Sequence, residues 1–556
     1  MLVAVVAAVS APVHASSATP ALVPRGRALP LATFYDQVVD AERGRIFVSG
    51  GAGSDAVVVT NYDGHVLATI PGLPDAAGMA LDDDTLYVAR EHAAGVYVVD
   101  TGALVKTRTL PLPHPSTGDV AFVHHRLWVV LGTCDRYGVL YFVDPRSGEQ
   151  GYTPHSYHCP DLEPSPFNPH LLYVAERDLS PAPVVKIDVS RAPATLVGAT
   201  PWGEGSDLAD MAISADGETL LTAHGHPYTV QEHRTSDMAL TGFTYGTATY
   251  PHTVATTDAG GGFVAVSPAP PPGSDVAVYP WRSGTATVIY DGVVPAPDGL
   301  EFVPQAARLV SIGGYDPVRF HALDGSSGLD AHLSLTASEE QVVHGRTVSL
   351  TAQLSPTPGS SHRTVSIYAI PFGGTEREIA RAPVGADGAL TVDATPSRNT
   401  TYVARWAGDD TYLSVNSDGV DVFVKVFVRT RLYGWYGTSG VWKLYRVGDS
   451  GKQVGVVVPN QSGRDLVFEA QQRVDGQWVP AARAAFPIGA DGRAVAYLVS
   501  DRPGYFRTRN VFADHWDYRG AASNWQYLRY TRATATAARA APNGEPGVRF
   551  ERSASR

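Results

Sequence analysis

Asp36, Asp119, Asp161, Asp210, His252 and Asp298 each stand where one unit of a recurring strand pattern begins. A partial ring of carboxylates around one mouth could hold a divalent cation such as calcium, with Asp119, Asp161, Asp210 and Asp298 as hard oxygen ligands. It could equally take a basic or hydroxylated ligand. The plainer expectation is that each Asp caps a turn within its own unit, because a feature that repeats with the fold is explained by the fold. Less repetitive polar residues fall in loops expected to share that face: Arg90, Glu91 and His92, then Asp135, Arg136 and Tyr137. Glu176, Arg177 and Asp178 follow, then His224, His226 and Tyr228, and finally Tyr315 with Asp316. Non-repeated polar and aromatic side chains on one face point to ligand recognition more strongly than repeated ones. His224 and His226 could ligate a metal or exchange protons near neutral pH, although a histidine pair without a third ligand more often serves loop solvation.

Signatures of dedicated catalysis are missing. The sequence holds no G-x-S-x-G, no H-E-x-x-H and no Walker A motif. Gly51 to Ala56 matches a relaxed dinucleotide fingerprint, but a strand and turn, VVVTNYDG, follow where that fingerprint requires a helix. Two cysteines, Cys134 and Cys159, are 25 residues apart and form no C-x-x-C pair; in an exported chain one disulfide is expected.

These residues need a scaffold, and composition says which kind. In 556 residues there are 55 Gly and 41 Pro, with 44% apolar and 18% charged residues. That punctuation suits many short strands, and nine Asp-Gly dipeptides mark tight turns. The chain reads as all-β, with two to four domains. Net charge is −12, yet from Phe427 onward 17 Arg and 2 Lys face 7 Asp and 3 Glu, leaving about −21 on the rest. An acidic body argues against nucleic acid as a partner. The basic end could touch an anionic surface. Residues 1–15 read as a signal peptide ending in a Val13-His14-Ala15 site, so a secreted or extracytoplasmic protein is expected. No other stretch reaches the ~20 apolar residues of a membrane helix.

A repeat organises residues 21–325. Apolar strands begin at Ile46, Leu86, Leu127, Leu172, Leu220, Phe263 and Leu309, at spacings of 40 to 48 residues. About four strands per unit of that length predicts a propeller with seven blades. The last unit lacks a fourth strand, while ALVPRGRALPLA (Ala21 to Ala32) echoes ALVKTRTLPLP, the fourth strand of unit two. The N-terminal segment is therefore expected to close blade seven. LYVAREHAAGVYVVDTG and its counterparts resemble the YVTN/YncE-like seven-bladed propellers of exported bacterial proteins. That resemblance implies fold more than activity. Similar propellers also host lactonases and lyases, which would make His224, His252, Glu176 and Asp298 the acid/base candidates of a hydrolase or lyase.

Past Ser326 short alternating strands predict two immunoglobulin-like sandwiches, 327–425 and 426–532, with a disordered tail at 533–556. TYVARWAGDDTY (Thr401 to Tyr412) resembles a segment of bacterial Ig-like repeats. The second module carries five of the nine Trp, in stretches such as RLYGWYGTSGVWKLYR. Alternation predicts that its aromatics fill the interior; exposed, they and the arginines would suit an anionic cell-wall polymer or other glycan. The reading is an exported or cell-surface binding protein. It would use the propeller's polar face on a protein, glycan or small molecule, with the modules as spacers or attachments.

Overall fold

The computed structural model describes residues 21–552 except 178, 247–249, 258–261, 269–274, 304–307, 314–316, 325–330, 356–362, 410–411, 413 and 533–546. The expected signal peptide, Asp178, Tyr315 and Asp316 lie outside the described residues. These contain no helix, hence none long and apolar enough to cross a membrane. They fold as two compact units, one holding the first seven sheets and the other the sheets formed from residue 332 onward.

The first unit is a β-propeller of consecutive antiparallel sheets, numbered here 1 to 7 in chain order. Their leading strands are Gln37–Asp40, Ala76–Asp82, Ser116–Val123, Pro160–Pro164, Ser206–Ile213, Pro251–Thr256 and Leu300–Val303. The apolar strands that mark the repeat come second in each sheet, as in Arg45–Val48 and Leu171–Glu176, and are buried almost throughout because both of their faces meet neighbouring sheets. Turns between strands use the expected chemistry. Gly64, after Asp63, has φ +74°, and a Cβ there would lie 2.4 Å from Phe320, so backbone and packing both demand glycine.

Apolar clusters join neighbouring sheets. Phe47, Val57 and Val59 of sheet 1 pack on Leu86, Val88 and Val99 of sheet 2, and similar clusters link sheets 2 to 3, 4 to 5, 5 to 6 and 6 to 7. One more cluster unites Ile46, Val48 and Val58 with Val310, Ile312 and Phe320, which brings sheet 7 against sheet 1. The N-terminal segment completes that junction. Arg27–Ala28 pairs antiparallel with Arg319–Asp324 as the fourth strand of sheet 7, Leu29 N–H donates to Val318 O at 2.8 Å, and Leu29 and Leu31 are buried in the joint cluster. A step earlier, Ala21–Leu22 adds a parallel edge strand to sheet 6, so one segment serves two sheets.

The second unit contains two successive pairs of sheets. His332–Ala337, Val348–Ser355 and Ala389–Ala394 form a small sheet, beside a larger one centred on Thr364–Pro371 and Thr400–Trp406. The next pair consists of Phe427–Tyr433, Ser450–Val458, Arg493–Ser500 and Val548–Glu551 in one sheet, and a broad sheet from Gly437–Ser439 to Gln477–Pro487. Two expectations need correction. Val548–Glu551 falls in the segment expected to be disordered, yet it is a strand whose Val548 and Phe550 pack on the module's core. Its V-R-F-E alternation offers one apolar face, which suffices for an edge. The five Trp of this module do not fill the interior either; none is buried, and the core is Leu432, Tyr445, Ala470, Leu498, Phe506, Leu528 and Tyr530.

Candidate functional site

Leading strands of consecutive sheets are neighbours, so their first residues converge on one mouth. The aspartates there do more than cap their own turns. Asp36 accepts Gln37 N–H at 2.6 Å within its sheet and Met79 N–H at 2.6 Å from the next. Asp119 accepts Val120 N–H and, across the junction, Leu162 N–H at 2.6 Å. Asp210 takes Val254 N–H at 2.9 Å and the Thr253 hydroxyl at 2.5 Å. Each carboxylate thus staples two sheets at the same register, 43 or 44 residues apart. The expectation of turn caps confined to one unit is corrected: Met79, Leu162 and Val254 N–H, in the leading strands of sheets 2, 4 and 6, are satisfied from the preceding sheet.

Asp161 and Asp298 follow a different pattern. Arg177, just past the second strand of sheet 4, places Nη2 3.1 Å from Asp161 of its own sheet and 2.6 Å from Asp298 of sheet 7. Sheets 4 and 7 are separated in chain order by sheets 5 and 6, so this guanidinium links leading strands that are not neighbours. Oxygens of Asp161, Asp210 and Asp298 lie within 4.8 Å of one another, close enough to share a cation. Asp119, expected as a fourth ligand, is not in this set; its two oxygens accept from Val120 and Leu162.

The electrostatics follow from crowding. Burial pushes Asp119 up to about 8, with the Asp161 charge adding to the rise and Arg177 opposing it. Burial raises Asp161 to about 6 against the pull of Arg177. Asp36 and Asp210 are raised well above the ordinary carboxylate range, chiefly by burial and then by neighbouring carboxylates. The arrangement holds protons close to neutral pH, so a bound cation would release them.

Four participants escaped the sequence reading. Tyr35 and Gln37 line the mouth, the Tyr35 hydroxyl donating to Thr117 O and the Gln37 amide to Asp298 O. Glu163 and Glu301 lie further along two leading strands; burial raises Glu163 well above its ordinary value and Glu301 to about 7. By surface area Glu301 is exposed, so its rise is the weaker of the two. The signal was present in Asp161-Leu162-Glu163, since residues i and i+2 of a strand share a face.

The remaining loop candidates are engaged locally. Arg90 reaches Asp75 at 3.7 Å and lies over Tyr97, and Glu91 accepts Ala52 N–H and meets His92 at 3.5 Å. Asp135 bonds the Thr133 hydroxyl beside the exposed Arg136, and exposed Tyr137 meets His158 edge to face. Glu176 accepts His158 N–H at 2.9 Å. His224 is not a loop residue: it is buried in strand Thr219–His226, with Nε2 3.1 Å from Ala182 O, and burial lowers its pKa. His226, at the exposed end of that strand, stacks on Tyr228. His252 is half-buried against Pro295 O, its pKa lowered by burial. Among the described residues, no histidine belongs to a set of three metal-ligating groups. The four acid/base candidates have separate partners: Ala182, Pro295, His158 and Arg177 for His224, His252, Glu176 and Asp298 respectively.

Cys134, in a loop of sheet 3, and Cys159, leading into sheet 4, are joined as a disulfide. Closing a 25-residue loop constrains the unfolded chain by about 3 kcal/mol. Reduction, or Cys134→Ser with Cys159→Ser, is expected to lower the propeller's melting temperature measurably by calorimetry. An unchanged melt would mean that the sheet 3–4 junction is held by packing alone.

No protein-family model matches the chain, and no curated protein sequence matches it. Among solved structures it is similar to hydrazine synthase of Kuenenia stuttgartiensis, at 14% identity over 54% of this chain and 98% of that one, with a TM-score of 0.43. The β-propeller domain of Cps50 (Swd1) from Myceliophteria thermophila gives 11% identity, 55% and 100% coverage and a TM-score of 0.42. BamB of Moraxella catarrhalis gives 11%, 66%, 98% and 0.33. Likeness at this level bears on no activity.

Proposed function

We infer that the seven sheets are the blades of a YVTN/YncE-like propeller, that the two sheet pairs are Ig-like modules, and that the protein is an exported, surface-associated binding protein. Its propeller mouth takes a ligand bearing an organic cation, an ammonium or a guanidinium. The observation that carries this reading is the excess of acid at the mouth. Asp36, Asp119, Asp161, Asp210 and Asp298 face Arg177, which already shows where a guanidinium fits. Buried carboxylates that keep protons for want of counter-charge gain most from a ligand that supplies it.

A second reading is supported by the three oxygens within 4.8 Å: a divalent cation on Asp161, Asp210 and Asp298, serving a hydrolase. Arg177 contacts two of those three carboxylates, so the metal would have to displace it. Titrating the full chain at pH 7 with spermidine, a basic peptide, Ca²⁺ and a neutral oligosaccharide separates the two. Calorimetry in buffers of different ionisation enthalpy is expected to show binding of the organic cations with proton release, weakened by Asp210→Asn. Binding of Ca²⁺ alone would replace this reading with the metal-dependent one, and no binding of any cation would overturn both.

A further inference from the structure

The broad sheet of the last module has one face in the core and one outside. Tyr445, Phe506, Leu528 and Tyr530 point inward. Strand period therefore turns Trp442, Tyr505, Arg507, Tyr527 and Arg529 outward. The register sets Trp442 beside Tyr527, Tyr527 beside Arg507, and Tyr505 beside Arg529. The rings meet as a contiguous floor: Trp442 lies 4.9 Å from Tyr505 and 5.4 Å from Tyr527, both edge to face, and Trp478 extends the floor 6.1 Å beyond Tyr527. Guanidinium groups overlie it, Arg507 at 4.7 Å from Trp478 and 4.4 Å from Trp525, and Arg529 at 5.0 Å from Tyr505.

The charge on this face is one-sided. Arg446, Arg473, Arg483, Arg507, Arg509 and Arg529 share it by register or by alternation, against Asp465 at its edge and Glu469, which Arg509 and Arg483 both contact at 2.9 and 3.5 Å. Arg507 instead bonds the neutral Gln471. Arg446, Arg473 and Tyr505 are exposed and Arg507 and Arg529 half-buried, so the face is open to a partner.

We propose that this face binds an acidic polysaccharide, a chain of uronate-bearing sugars laid across the strands. Sugar rings offer apolar C–H faces to an aromatic floor, and their carboxylates match planar guanidinium forks. A neutral glycan would leave the arginine excess uncompensated. Nucleic acid fits less well: rings packed edge to face present no slot between which bases stack, and residues 1–426 carry about −21.

The test is affinity electrophoresis of the full chain in gels containing polygalacturonate, dextran or polythymidylate, at 50 and 300 mM salt. Retardation by polygalacturonate is expected, weakening at least tenfold at the higher salt and at least tenfold in Arg507→Gln/Arg529→Gln. The exposed pair Arg473→Gln/Arg483→Gln, which changes no packing, should weaken it severalfold with an unaltered melt. Equal retardation by dextran, stronger retardation by polythymidylate, or indifference to both variant pairs would overturn the proposal. The propeller's cation site plays no part in the result.

Discussion

Arg177→Gln is expected to lower the propeller's melting temperature by roughly 5–10 °C at pH 8 and by much less at pH 5. Removing one member of a buried ion pair costs about 3–5 kcal/mol, because the partner is left charged and dry. The side chains of Arg177, Asp161 and Asp298 are 25%, 12% and 27% exposed, which places this case near the lower figure, about 3 kcal/mol. The pH dependence follows from Asp119 and Asp161, whose folded pKa values of about 8 and 6 lie above the ordinary value near 3.8. For such groups the folded state binds more protons, so their contribution to stability is full below pH 4 and is lost as pH rises toward 8. At pH 5 both are largely protonated and have little need of Arg177; at pH 8 they depend on it. Scanning calorimetry at the two pH values reads the difference. An equal loss at both would show that the contact with Asp298, rather than the titration of Asp119 and Asp161, sets the cost.

The double variant Leu29→Ala/Leu31→Ala is expected to be still more damaging. Both side chains are over 90% buried, among Ile46, Val48, Val310, Ile312 and Phe320, where the last sheet meets the first. Emptying a buried leucine site costs about 2–5 kcal/mol, so the pair removes on the order of 5 kcal/mol from a unit whose whole margin is commonly about 5–15. The strand they anchor is two residues long with both side chains exposed, and cannot hold the junction by its own hydrogen bonds. Calorimetry of the full chain should show the propeller endotherm collapsing while that of the C-terminal modules stays in place. Loss below 1 kcal/mol would mean that sheets 7 and 1 associate without the segment.

What the sequence conveyed depended on the range of the interaction. The apolar strands at Ile46, Leu86, Leu127 and their successors are local patterns, and each is the second strand of a sheet. The echo between Ala21–Ala32 and the strand near Val105 led to the pairing with Arg319–Asp324 because fourth strands share one environment. The leading strands were poorly visible. They face a polar lumen, so Asp161-Leu162-Glu163 and Leu300-Glu301 lack the apolar alternation by which strands are recognised. The reach of Arg177 to Asp298, 121 residues away, leaves no local trace. In the last module alternation correctly groups Tyr505 with Arg507 and Phe506 with Thr508, but period alone does not say which group faces inward. There aromatic residues stand in both groups, Trp442, Tyr505 and Tyr527 outward and Tyr445, Phe506 and Tyr530 inward.

The two-residue strand at Arg27–Ala28 also fixes an order of events. Its partner is made almost 300 residues later, a contact far longer in sequence than any hairpin in the propeller. Long closures of this kind are slow, and every sheet from 1 to 6 can form before the one that receives it exists. Arg27–Ala28 therefore waits for the last of the seven sheets, and until that sheet is made Leu29 and Leu31 are apolar side chains that the growing chain must keep from other partners.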